Sequence, residues 1–292
     1  MKKASDEWLS HLAMTRDWLD ARLLAFLDRS HWHPRMKESA EYVVSGGGKA
    51  VRPALVYWSY ASASGNSQPP EWVLDLGLSL EFVHCYSLAH DDLPCMDNDD
   101  FRRGRPTLHR IQGEALAVLG GDALLTGAFE IVSNLAADSD VRVAAVREIA
   151  AAAGGAGMIA GQAMDLELKL KSGDWTTEEL TLNHNLKTGA LFGASLALGA
   201  LAAGRRDPDK ARYWGIKLGL LFQVVDDILD AGSATDARGD EGPNFVKALG
   251  LNEARKYADQ LRTELKSSAQ LDLGATADST EAILDFFVQR KF

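Results

Sequence analysis

An all-α fold, in a single domain covering residues 1–292, is what this sequence predicts, and three observations carry that expectation. Long Ala/Leu/Glu/Arg-rich stretches recur, at 115–137, 141–153 and 252–270. Alternating β-branched runs bounded by turns are scarce. Polar or glycine-rich breaks fall at 45–48, 64–70, 138–140, 171–174, 204–209, 232–243 and 273–278, leaving helix-length segments between them. The expected architecture is one bundle of roughly ten or more helices. No Pro/Gly/Ser-rich linker or shift of composition divides it.

Composition narrows the function. The chain is 46% hydrophobic and 25% charged, ordinary for a globular protein. A net charge of -10 disfavours nucleic acid and anionic membranes as partners, and an anionic substrate would need a divalent cation beside it. Cys85 and Cys95 match no metal or redox spacing and read as reduced thiols of a cytoplasmic protein. The opening residues lack the apolar stretch of a signal peptide. Two charge-free runs stand out, 53–70 and 188–204. The first ends in a polar turn; the second is short and rich in Gly and Ala, so it reads as a buried helix and not as a membrane span. Near 174–179, Asp174, Thr176 and Thr177 before Glu178 and Glu179 make a helix start.

The chemistry concentrates in two aspartate clusters. Asp91, Asp92, Asp97, Asp99 and Asp100 crowd into ten residues after an apolar helical stretch. On an unbroken helix Asp91 and Asp97 would sit about 120° apart, and a kink at Pro94 would bring them together. Further on, Asp226, Asp227 and Asp230 share about 100° of one helical face among apolar residues. Hard oxygen ligands in this pattern suit Mg²⁺, which bridges carboxylates to substrate phosphates. The expectation is that the two clusters form facing walls of one cavity.

Basic groups accompany the acids. Lys49 and Arg52 follow the run Gly46-Gly47-Gly48, and Pro53 suits the first turn of a helix whose amides favour an anion. Arg offers a bidentate fork to phosphate. Arg102 and Arg103 follow the first cluster, where they either reach phosphate or neutralise Asp99 and Asp100. Lys187 and Thr188 stand at the entrance of the small-residue helix.

Taken in order, the Gly-Gly-Lys…Arg-Pro segment, DDLPCMDNDDFRRGRPT, GDALLTGAFE, GQAMDLE, HNLKTGALF and FQVVDDILD resemble the trans-prenyltransferase family, whose members include farnesyl and geranylgeranyl diphosphate synthases. The resemblance runs from about residue 45 to the C-terminus, and the terminal Val-Gln-Arg-Lys is similar to the basic tail of bacterial members. It implies the isoprenoid synthase fold around a deep central cavity, and a homodimer. The implied substrates are isopentenyl diphosphate and an allylic diphosphate. Asp91, Asp92, Asp97, Asp226, Asp227 and Asp230 would hold Mg²⁺, up to three ions, with Mn²⁺ able to substitute. Arg102, Lys187, Thr188 and Gln223 match the family's allylic contacts; Lys49, Arg52, His84 and Arg103 match its isopentenyl diphosphate contacts. Arg102 and Lys187 join the six aspartates in the catalytic set. The proton lost at the end of the condensation would go to the departing diphosphate.

The aromatic Tyr86, five residues before Asp91, together with Ser87 resembles the bacterial farnesyl type, in which a bulky side chain closes the cavity floor. A fifteen-carbon product is expected, with geranyl and geranylgeranyl diphosphate as alternatives. Two departures stand against the pattern. Ala50 replaces a basic residue, and the segment after Asp230 lacks two Gly-Lys elements, for which Arg238 or Lys247 are the candidate substitutes. A non-catalytic homologue that modifies a partner synthase, a cyclase acting on one prenyl diphosphate and a non-catalytic ion-binding bundle are the competing readings. The complete aspartate motifs oppose the first, and the isopentenyl set opposes the second. The third leaves the ordered cations unexplained.

Overall fold

The computed structural model describes residues 2–171, 175–231 and 242–288, with side chains from residue 8 onward. The described residues are helical almost throughout, as the sequence predicts, and divide into two compact units.

The helices are, in order, α1 (Lys2–Arg29), α2 (Pro34–Val44), α3 (Val51–Ser64), α4 (Glu71–Asp91), α5 (Leu108–Gln112), α6 (Glu114–Ser133), α7 (Ser139–Ala153), α8 (Met158–Lys169), α9 (Thr177–His184), α10 (Ala190–Ala202), α11 (Asp209–Asp230), α12 (Phe245–Leu249), α13 (Leu251–Leu273) and α14 (Ala277–Val288). A two-residue hairpin, β1 (Phe101–Arg102) with β2 (Arg105–Pro106), separates α4 from α5. A π-helical turn, Asn185–Gly189, joins α9 to α10.

The N-terminal unit comprises residues 10–57 and 67–146. Its axis is α4, buried over most of its length from Val73 to Ala89, as befits a helix apolar on every side. Phe26, Trp32 and Phe82 interlock there, with Phe26 edge-on to both partners at 5.3 and 5.5 Å. The bidentate pair of Arg22 with Asp75, at 2.7 and 2.8 Å, ties α1 to α4. Helix α6 is long and apolar enough to cross a membrane by length and composition. It carries three acids, Glu114, Asp122 and Glu130. One face is buried, while Val118 and Leu119 are exposed.

Among the described residues, the C-terminal unit comprises 2–9, 58–66, 147–171, 175–231 and 242–288. Helix α10 is buried without interruption from Leu191 to Ala200, which accounts for the charge-free run around it. Trp214 of α11 is fully buried and donates its indole N–H to the Leu265 carbonyl at 2.9 Å. Arg212 forks onto the buried Glu148 carboxylate at 2.7 and 2.8 Å. Thr176 and Glu179 complete a capping box that starts α9, as their spacing predicts.

Candidate active site

In the N-terminal unit the first aspartate cluster sits where α4 stops. The helix ends at Asp91 with Asp92 as its C-cap, so Pro94 lies in the following turn and not at a helix kink. The turn brings the two backbones together, with the Asp97 N–H donating to the Asp91 carbonyl at 2.8 Å. Asn98 closes it in the left-handed region, φ 54°. Asp92 is buried and accepts from Arg102 Nε at 2.5 Å, while Asp99 lies 3.5 Å from the same guanidinium. Burial pushes the Asp92 carboxyl above its ordinary range, against the pull of Arg102. Arg102 therefore neutralises Asp92 and Asp99, and Arg110 takes Asp100 at 2.5 Å.

The hairpin aims the next arginine. Its two central residues, Arg103 and Gly104, both have positive φ, 53° and 73°, the type I′ turn that suits a twisted two-residue hairpin. Arginine takes that conformation at a steric cost. Its guanidinium lies against Gly48, where an added Cβ would come within 2.4 Å of Nη1 and would displace the guanidinium from this position. Arg52, in the first turn of α3, has its pKa lowered to about 10 by burial and by Arg103, with Glu81 opposing. Burial also pushes the Glu81 carboxyl up, against Arg52, Arg103 and Arg16. His84 is held well below its ordinary value by burial, then by Arg52, Arg103 and Arg102. It is therefore neutral near pH 7. The structure thus brings Arg52, His84, Arg102 and Arg103 into one positive neighbourhood. Lys49 is exposed in the preceding loop, and Ala50, left-handed at φ 49°, is buried at the start of α3.

Tyr86 is buried, 5.8 Å from the His90 ring, and its hydroxyl has no hydrogen-bond partner among the described residues. Burial, then the Asp91 charge, pushes that phenol up to about 12. Ser87 donates to the His84 carbonyl at 2.8 Å.

In the C-terminal unit the second cluster occupies the end of α11. Asp226 is half-buried, Asp230 exposed and Asp227 buried, with its Oδ2 accepting the Phe245 N–H at 2.7 Å. Asp227 thus anchors α12, whose N-cap Asn244 accepts from the Val246 and Lys247 amides at 2.8 and 3.2 Å. Gln223, one turn before Asp227, accepts from the Thr188 hydroxyl at 2.6 Å. Lys187, beside Thr188 in the π-turn, pairs with Asp165 at 2.7 Å. Lys247 lies on α12; Arg238, the other candidate for the missing cations, and the basic residues that end the chain lie outside the described residues.

Sequence reasoning left several participants unassigned. Asp165 sits inside GQAMDLE, a motif quoted above without a role for this acid. Burial pushes its carboxyl up, but Lys187, Lys169 and Asn183 outweigh burial and hold it below the ordinary range. His184 is buried and stacked 5.4 Å from Phe245, with neither ring nitrogen hydrogen-bonded among the described residues. Gly161 has a strict steric role in this unit: a Cβ there would lie 2.2 Å from the Lys187 backbone nitrogen. Gly161→Ala is expected to destabilise the protein by about 1–3 kcal/mol, through the overpacking it forces, measured by denaturant unfolding.

Both aspartate clusters stand at helix C-termini, α4 and α11, and the last turn of α11 carries no basic residue. The macrodipole there is negative, so carboxylates add repulsion that a bound cation would relieve. Their hard oxygens fit Mg²⁺. Among the described residues no three acidic, thiol or imidazole groups converge on one point. An ion on either cluster would therefore complete its octahedral shell from water and substrate oxygens, as Mg²⁺ does.

A polyprenyl synthetase family model matches residues 33–242. The chain belongs to the polyprenyl synthetase family. It is 33% identical to farnesyl diphosphate synthase of Micrococcus luteus, over 96% of this chain and 98% of the relative. With geranylgeranyl diphosphate synthase of Cyanophora paradoxa it shares 39% identity over 87% of each. The crystal structure of a geranyltransferase from Helicobacter pylori, complexed with magnesium and isoprenyl diphosphate, superposes with a TM-score of 0.79 at 34% identity, covering 96% of this chain and 98% of that one. This member is thus a prenyltransferase of the short-chain trans-prenyl diphosphate synthase type, in a magnesium-dependent family.

Proposed function

We propose that this synthase condenses isopentenyl diphosphate with dimethylallyl or geranyl diphosphate, head to tail, and stops at farnesyl diphosphate. The observation that carries this reading is the placement of both acidic clusters at dipole-negative helix ends, each with basic or hydrogen-bonding groups beside it. Such carboxylates are costly as surface decoration and useful as ligands of a cation that carries diphosphate.

In this reading Asp91, Asp92 and Asp97 of the N-terminal unit and Asp226, Asp227 and Asp230 of the C-terminal unit would hold Mg²⁺, while Asp92 and Asp227 also fix Arg102 and Phe245. Magnesium supplies charge neutralisation for the leaving diphosphate. Arg102 and Lys187 each supply fixed positive charge beside an aspartate cluster, an electrostatic contribution to a leaving diphosphate that needs no reorganisation. The Thr188 hydroxyl and Gln223 amide, bonded to each other, present their oxygen dipoles to the allylic cation. Lys49, Arg52 and Arg103 bind isopentenyl diphosphate, and neutral His84 serves as hydrogen-bond donor or acceptor. The isopentenyl double bond then attacks the allylic carbon, forming one C–C bond, and the released diphosphate takes the proton that restores a double bond.

Tyr86 supplies the product limit, since its bulk is buried beside Ser87 one and a half turns above Asp91. Tyr86→Ala is expected to shift the main product from fifteen carbons to twenty or more. The check is chromatography of dephosphorylated products from dimethylallyl, geranyl and farnesyl starters. A C15 product from the variant removes Tyr86 as the floor, and no turnover of wild type with any starter removes the synthase reading. We read the protein as a cytoplasmic homodimer.

A further inference from the structure

We propose that Asp165 is a positioning residue that fixes the Lys187 ammonium for diphosphate, a role that rests on the synthase reading above. Lysine carries its charge on a flexible four-carbon stem, and Lys187 emerges from a π-turn, where backbone geometry is looser than in an α-helix. Both ends of this side chain are nonetheless held by one face of α8. Gly161 receives the Lys187 backbone so closely that no Cβ fits. Four residues on, one helical turn further along the same face, Asp165 takes the ammonium at 2.7 Å. Asp165 is itself fixed: it is 6% exposed, and its other oxygen accepts from Asn183 Nδ2 at 3.1 Å. Lys169 lies 3.5 Å from the oxygen that Lys187 uses.

The arrangement differs from a closed structural ion pair in what it leaves available. An ammonium has three donors, and Asp165 uses one. Lys187 remains 30% exposed at its side chain, whereas the Asp165 side chain is 8% exposed. The acid is the buried anchor and the base is the presented group. Next to Lys187, the Thr188 hydroxyl is fixed by Gln223, so the turn delivers two neighbouring functional groups from two different anchors.

The test is Asp165→Asn, which keeps one oxygen but cannot accept from both Asn183 and Lys187. The expected result is a drop in kcat/KM for the allylic diphosphate on the order of ten- to a hundredfold, the usual scale for loss of an orienting partner. The KM for isopentenyl diphosphate should change by less than about twofold, a split that general loosening would not produce. In a Lys187→Met background the same substitution should have no further effect. Asp165→Glu, which keeps the charge on a longer stem, should show the same split more weakly and stands in if the asparagine variant does not fold. Calorimetric titration of inorganic diphosphate with Mg²⁺ needs no turnover. There, Asp165→Asn and Lys187→Met should weaken binding non-additively, whether or not prenyl product forms. Equal losses in both backgrounds, a parallel rise in both KM values, or unchanged kinetics and binding would each overturn the role of Asp165. Failure of wild type to turn over any starter, with the coupling intact in calorimetry, would count against the synthase reading alone.

Discussion

Asp226→Asn is expected to lower kcat by about a hundredfold or more while leaving the melting temperature close to wild type. The substitution removes one negative charge and little volume from a half-buried position at the end of α11. In the absence of metal that loss relieves repulsion with Asp227, Asp230 and the helix dipole, so the fold should not suffer. In the presence of metal and diphosphate the same loss weakens the ligand set as charge gathers on the leaving group, where each fixed interaction matters most. The neighbouring acid gives the contrast. Asp227→Ala strands the buried Phe245 N–H, and an unsatisfied buried donor costs about 1–3 kcal/mol, so this variant should lose stability as well as activity. Steady-state kinetics beside urea unfolding separates the two. Equal unfolding midpoints for both variants would reject the anchoring role of Asp227, and near-normal kcat for Asp226→Asn would reject its metal role.

Acid should destabilise the protein well before carboxylates protonate in bulk. His184 has its pKa lowered to about 4, chiefly by burial, with Asp165 raising it and Lys187 lowering it further. In the unfolded chain a histidine titrates near 6.5. Because the folded value is the lower one, the unfolded state takes up the proton first as pH falls. The stability contribution of the neutral ring is complete above pH 6.5 and is lost progressively down to about pH 4. Across that window the loss amounts to about 3 kcal/mol. His84, also held low, adds a slope of the same sign. His184→Phe keeps an aromatic ring against Phe245 and should flatten the pH dependence relative to wild type. Urea unfolding of both proteins between pH 4 and 7.5 measures it; parallel pH profiles would reject the assignment.

Much of this was legible in the sequence because it depends on period and composition. The helix lengths, the capping box at Thr176, the buried run at 191–200 and the face shared by Asp226, Asp227 and Asp230 all follow from residue spacing. The rest depends on pairings that no local rule encodes. Pro94 marks a break correctly, yet whether a break is a kink or a stop depends on the hydrogen bond from Asp97 to Asp91, made by two backbone groups whose side chains are irrelevant to it. Arg103-Gly104 was not legible as a hairpin turn because arginine is an uncommon occupant of a left-handed position. Asp165 and Asp227 are both buried acids on helices, and nothing next to either in sequence names its partner. Their partners, Lys187 and Phe245, are 22 and 18 residues away and make one an anchor for a cation and the other an anchor for a helix.

The π-turn at Asn185–Gly189 has a consequence for how this stretch tolerates change. A π-turn accommodates one residue more than the α-helix it interrupts, and one residue corresponds to about 100° of rotation. Helices α9 and α10 are thus out of phase with each other and cannot be drawn on a single helical wheel. Deleting one residue here would restore an unbroken helix with Asn183 and His184 still on the faces they now hold relative to α10, and would remove the bulge that sets out Lys187 and Thr188. In this segment the number of residues is as much a determinant of function as their identity.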